Sequence, residues 1–394
     1  MPDSRAHVAP ITTALALSLG AAISLGMSRF SYALLLPPMR ADLHWSYLLA
    51  GAMNTANALG YLLGALATPS LMRRFGAQRL LIGGALLTAL FLLLSGLMTD
   101  ATLLLVQRTL AGFASALIFI AGGVLAARLG SLHPQRAGFL IGMYYSGTGF
   151  GIVLSALLVP ATQRMAAGTA HGWQWAWLAL GLMCLLATAL MARPAWSIDG
   201  RAPPPSAQDR FDWKSYRFGL GSYFMFGVGY IGYMTFVVAL LREQGMAGGL
   251  ITAFYSALGI AVVASSRIWA RLLDRYRGGQ AMALLNGLLA LATILPALTA
   301  QPILVFGSGL LFGAVFLSVV ASTTALVRHN APPAAWSGGI GAFTTVFAFG
   351  QIVGPTVVGW IADGAGGLQR GLIFSALALL VGALLSTRQP ALSH

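Results

Sequence analysis

Charge is what this sequence has least of. Charged residues make up 8% of its 394 positions, with 9 Asp or Glu against 23 Lys or Arg, while 58% of the chain is hydrophobic. Soluble domains carry about 25% charged residues. No single core could hide this much apolar surface, so lipid must be the solvent. No polar stretch exceeds about two dozen residues, which leaves no room for a separate soluble domain. The lone cysteine, Cys184, permits no intrachain disulfide. No phosphate-cradling Gly-x-x-x-x-Gly-Lys-Ser/Thr string appears, which argues against an ATP-driven pump within this chain. Cys and His show no metal-ligand spacing, and Ser265-Ser266 and Ser322-Thr323-Thr324 read as helix-packing hydroxyls rather than nucleophiles. No enzyme, metal or cofactor is expected. The net charge of +14 is spread as one to four arginines per loop with no basic face, so nucleic acid is not the expected partner.

What is present is a series of apolar runs. Taking about 20 residues per membrane crossing, we count twelve, near 11–36, 46–70, 77–98, 102–127, 137–160, 173–192, 217–241, 249–272, 280–300, 302–326, 338–362 and 370–388. The first is too long for a signal-peptide core and lacks a small-residue cleavage site, so it should stay as a helix. Loops are short except that between Arg193 and Arg217, which contains Pro203-Pro204-Pro205. This predicts an all-α integral membrane protein with an N-terminal six-helix bundle (1–193), a linker (194–216) and a C-terminal six-helix bundle (217–394). Arginines gather on the side of the termini and linker, and the other side keeps only Arg40, Arg164, Arg242 and Arg370. The positive-inside rule then places both ends in the cytoplasm.

The halves echo each other. Arg40 and Arg73 end helices 1 and 2, and Arg242 and Arg275 end helices 7 and 8 at an offset of about 200. Gly147-x-Gly149-x-Gly151 in helix 5 answers a Gly350-x-x-x-Gly354-Pro355 pattern in helix 11. A six-plus-six duplication reads as a transporter with its substrate site between the halves near the midplane. A receptor or scaffold that binds without translocating is the alternative from another class, though it has no need of duplicated halves.

The sharpest local feature is Arg29, far from either end of the first apolar run. An ionised side chain at the bilayer centre costs about 2.5–3.5 kcal/mol on insertion scales. Asn54, Asn57 and Tyr61 follow on one face of helix 2 at i, i+3, i+7. At ~1.5 Å rise per residue, Arg29, Asn54, Asn57 and Arg108 fall at similar depth. All nine carboxylates and all six histidines map to termini, loops or helix ends, so neither arginine has an obvious intramembrane counter-charge. A guanidinium fork suits a carboxylate or phosphate. The leading expectation is therefore a small organic anion, a carboxylate, met by Arg29 with Asn54 and Asn57. If the substrate carries its own proton or exchanges for another anion, no membrane carboxylate is needed. The competing readings are structural arginines bonded to carbonyls, or to Asn57, and efflux of an uncharged or hydrophobic compound. Aromatic walls with a few polar tips suit a small-molecule pocket. Tyr32, Tyr144, Tyr145, Tyr230, Tyr233 and Tyr255 are candidates, with Thr344 and Gln351 on one face of helix 11. Interhelical packing is the alternative for each tyrosine. Besides substrate and bilayer, a proton is the one coupling partner considered, and a monomer is expected.

Over its whole length the chain resembles the major facilitator superfamily. Arg74-Phe75-Gly76 is similar to the tail of that family's loop 2–3 motif, Arg108-x-x-x-Gly112 to its helix-4 arginine motif, and Gly350-x-x-x-Gly354-Pro355 to its helix 5 and 11 pattern. The strings SRFSYALLLPPMRADL and MNTANALGYLLGA resemble the YbfB/YjiJ group. The resemblance implies a multi-pass secondary transporter of a bacterial inner membrane working by alternating access, and an Arg108 that is commonly structural. It also marks a departure: the loop 2–3 motif ordinarily begins with aspartate, and here Arg73 stands there. Asp274-Arg275 occupies the matching loop of the second half. Asp274 is thus expected to brace the cytoplasmic gate near Arg136.

Overall fold

The computed structural model describes residues 10–198, 211–332 and 335–392. The polyproline part of the linker lies outside them. Among the described residues every regular element is a helix. The first span is one continuous run from Pro10 to Leu43, made of α1 (Pro10–Ala21), a π-helical segment (Ala22–Phe30) and α2 (Tyr32–Leu43). There follow α3 (Tyr47–Phe75), α4 (Ala77–Ser95), α5 (Ala101–Leu132), α6 (Ala137–Met165) and α7 (Trp173–Trp196). After the linker come α8 (Arg217–Glu243), α9 (Gly248–Ile268), the short α10 (Ala270–Arg275), α11 (Gln280–Leu298), α12 (Pro302–Asn330), α13 (Trp336–Ala362) and α14 (Gly367–Thr387). The eighth expected span is therefore broken at Trp269.

Among the described residues, 11 helices are long and apolar enough to cross a membrane. The long helix outside that set is α3, which carries Asn54, Thr55 and Asn57. Outward faces are apolar: on α7, Leu182, Leu186 and Leu190 recur at i, i+4, i+8 with 60%, 53% and 60% of their surface exposed. Such a stripe would be a liability in water and is a lipid contact in a bilayer.

The chain forms two compact units. The first holds Met1–Ser31 and Leu59–Pro203, the second Tyr32–Ala58 and Pro204–His394. The segment 32–58 belongs to the second unit, where α2 lies against α8.

Within the first unit, α1 and the π-helical segment pack on α5 and α6. Glycine sets the separation. A Cβ on Gly26 would stand 2.5 Å from the Gly151 Cα, and one on Gly151 would stand 2.6 Å from the Ala22 carbonyl oxygen. Small residues that let backbones touch are the usual means of helix association in lipid, where no hydrophobic drive operates between helices. The second unit repeats the device, since a Cβ on Gly354 of α13 would lie 2.5 Å from the Val228 carbonyl oxygen of α8.

The second unit also binds its borrowed segment closely. Tyr47 N and Leu48 N, at the start of α3, donate to the two carboxylate oxygens of Asp363 at 2.7 and 2.8 Å. These are among the amides that a helix start leaves without an intrahelical acceptor. Thr55 Oγ1 donates to the Ile352 carbonyl at 2.8 Å and lies 2.7 Å from Thr356 Oγ1. Asn54 Nδ2 donates to Thr235 Oγ1 at 2.7 Å.

Candidate functional site

The site is built on the π-helical segment. A helix of this kind directs the amide at i+5 to the carbonyl at i, as Ser31 N does to Gly26 O at 3.1 Å, and such segments are frequent at functional positions. Neighbours in the first unit hold it in place. Ser24 Oγ donates to the Ser115 carbonyl at 2.8 Å, and Ser115 Oγ donates back to the Ser24 carbonyl at 2.7 Å. Arg108 Nη1 donates to the Ser28 carbonyl at 2.7 Å, and its guanidinium lies 5.5 Å from the Trp177 ring centroid. Arg108 thereby gives a charge-assisted bond to a backbone oxygen of the segment.

Arg29 belongs to the segment itself and differs in kind. Its side chain is 2% exposed, yet Nε and Nη2 have no hydrogen-bond partner. Its recorded contact is with the ring of Tyr61, 5.9 Å from the guanidinium carbon. Arg29 and Arg108 are the charged residues among the buried side chains of the described chain; no Asp or Glu is buried with them. A buried guanidinium with open donors is costly alone, and those donors form a fork that two carboxylate oxygens would fill.

The other expected residues divide between the units. Tyr61, Arg108, Tyr144 and Tyr145 share the first unit with Arg29, whereas Tyr32, Asn54, Asn57, Tyr230, Tyr233, Tyr255, Thr344 and Gln351 lie in the second. Tyr144 is fully buried and donates to the Phe119 carbonyl at 2.8 Å, while Tyr145, 38% exposed, stacks edge-on against it at 5.0 Å. Tyr32 donates to the Ala50 carbonyl at 2.9 Å. Tyr230 donates to Gln351 Oε1 at 3.0 Å, and the Tyr233 hydroxyl lies 2.8 Å from Ser308 Oγ. Thr344 bonds back to the Ile340 carbonyl at 2.8 Å; Tyr255 and Asn57 are buried. Tyr223, Phe226, Tyr230 and Phe347 form a nearly parallel stack, with centroid distances of 4.8–5.5 Å.

Of the expected gate residues, Arg73, Arg74, Arg136, Asp274 and Arg275 are exposed. Gly76 turns the chain from α3 into α4 with φ of 84°, a left-handed conformation that suits glycine. Arg136 and Asp274, expected to pair, fall in different units. Ser24, Ser28, Trp177 and Thr235 went unnoticed in the sequence. The spacing Ser24-x-x-x-Ser28 around Gly26 was the available signal for the first two.

A family model described as "Uncharacterised MFS-type transporter YbfB" matches residues 21–387. Human monocarboxylate transporter 11 is 28% identical over 80% of this chain and 69% of its own length. A chloramphenicol resistance protein of Streptomyces lividans is 27% identical over 92% of this chain and 93% of its own. Among solved structures, a bacterial homologue of the human lysosomal transporter Spinster, inward-facing and unoccupied, superposes with a TM-score of 0.71. It covers 96% of this chain and 97% of its own at 13% identity.

Proposed function

Since the chain belongs to the YbfB-type family of MFS transporters, membrane carriers that work by alternating access and not enzymes, we propose that it moves a small organic anion. The expected cargo is a carboxylate, carried across a bacterial inner membrane with both termini in the cytoplasm. The observation that supports this is Arg29, buried to 2% exposure with two guanidinium nitrogens lacking acceptors. A carboxylate placed against Nε and Nη2 would supply two charge-assisted bonds at one stroke. Arg108, bonded to the Ser28 carbonyl, acts in this reading by holding the segment that carries Arg29. The name of the human relative, a monocarboxylate transporter, agrees with the same chemistry. A proton need not be relayed through the membrane if it travels on the acid or if anions exchange.

A second reading draws on the aromatic stack of Tyr223, Phe226, Tyr230 and Phe347 and on the chloramphenicol resistance protein: efflux of an uncharged aromatic compound. Melting curves of the purified protein with benzoate, benzylammonium and benzyl alcohol separate the two, because a ligand that binds only the folded state raises its stability. The anion reading expects benzoate alone to raise the melting temperature, and expects Arg29→Gln to remove the effect. Equal effects of all three ligands, unchanged in Arg29→Gln, would leave the second reading.

A further inference from the structure

The two arginines that mark equivalent places in the repeats, Arg40 and Arg242, line one cavity of about 230 Å³ in the second unit. It lies where α2 ends and α3 begins, against the last turn of α8. Tyr47 and Glu243 complete its polar wall, and Leu36, Pro37 and Ala239 its apolar one. Arg40 sits face-on over the Tyr47 ring, its guanidinium carbon 3.7 Å from the centroid, and its buried Nε has no partner. The Tyr47 hydroxyl donates to the Glu243 carboxylate. Two arginines thus share one cavity wall with a single carboxylate, which accepts from Tyr47. Arg242 and Glu243 are exposed, so the cavity can be reached from water.

We infer that this cavity is a second anion-binding site, where a monocarboxylate with a short apolar body is held by Arg40 and Arg242. The apolar body would lie on Leu36, Pro37 and Ala239, and its carboxylate would face the two guanidiniums. Glu243 acts as the resident counter-charge. Its like charge weakens the visitor, so removing that charge strengthens binding. The choice of a carboxylate rests on the anion reading above; the existence of the site does not.

The test is calorimetric titration of benzoate into the purified full-length protein. Wild type is expected to bind it. Arg29→Gln should retain a weaker site, which Glu243→Gln in that background tightens several-fold. Adding Arg242→Gln to Arg29→Gln should weaken the residual site at least tenfold, and Arg242→Lys should restore part of it. If Arg29→Gln alone abolishes all binding, or if Arg242→Gln leaves the residual site unchanged, this proposal fails and the Arg29 reading stands. If Arg29→Gln changes nothing while Arg242→Gln removes binding, the Arg29 reading fails and the outer site stands. Absence of benzoate binding in wild type overturns both.

Discussion

Replacing Arg29 with methionine should make the protein more stable while it destroys transport. A charged side chain at the bilayer centre costs about 2.5–3.5 kcal/mol. The contact with Tyr61 at 5.9 Å returns roughly 0.5–1 kcal/mol, as such cation–π pairs do. With Nε and Nη2 unbonded, little else offsets the cost, leaving about 2 kcal/mol against the folded state. Methionine is of similar length, apolar and flexible enough to fill an irregular space, so most of that cost should be recovered. For a unit of this size, about 2 kcal/mol corresponds to a rise of roughly 4–8 °C in melting temperature. Intrinsic fluorescence reports it, since the chain has 9 tryptophans. Arg108→Met is the matched control. It gives up a bond to a backbone oxygen, a charge-assisted interaction worth about 1.5–3 kcal/mol, and frees the Ser28 carbonyl inside the π-helical segment. That variant should melt at or below the wild type. If Arg29→Met falls as far as Arg108→Met, Arg29 is a structural residue and the reasoning is refuted.

Other substitutions test the frame around the site. Gly26→Ala would drive a methyl to 2.5 Å from the Gly151 Cα and should cost about 1–3 kcal/mol, the usual range for overpacking. Gly83→Ala, with nothing within 4 Å of its added Cβ, should cost nothing in the same melting assay. Asp363→Ala removes the carboxylate that accepts from Tyr47 N and Leu48 N; hydrogen exchange at the start of α3 should quicken, with a loss of about 1 kcal/mol typical of a missing cap. Gln351→Leu removes the hydrogen bond that Tyr230 donates, and about 0.5–1.5 kcal/mol should be lost, the net worth of one intramolecular hydrogen bond. Chemical denaturation would read that last value.

The helices were legible in the sequence because a bilayer demands about 20 apolar residues per crossing, and little else in the chain competes with that signal. Arg29 was legible for the same reason: a charge in such a run is too costly to overlook. The π-helical segment was not, since the partners that pin it, Ser115, Arg108 and Gly151, lie some 80–125 residues further along the chain. Hydropathy could not distinguish an arginine that finds a backbone carbonyl from one that does not; only the family resemblance set Arg108 apart as commonly structural. Helical spacing put Asn54 and Asn57 on one face, yet it could not foresee that Asn54 would bond to Thr235 of α8. Nor could it foresee that residues 32–58 would join the second unit. The echo of Arg40 in Arg242 was readable as symmetry, and only the fold brought both to one cavity.

The central question is whether a buried guanidinium in the first span recognises a negative charge that moves. Counterflow in proteoliposomes measures this directly. Vesicles carrying the wild-type protein and loaded with unlabelled benzoate should transiently accumulate radiolabelled benzoate, and vesicles carrying Arg29→Ala should not. Accumulation of benzylammonium instead, undiminished in Arg29→Ala, would contradict the account.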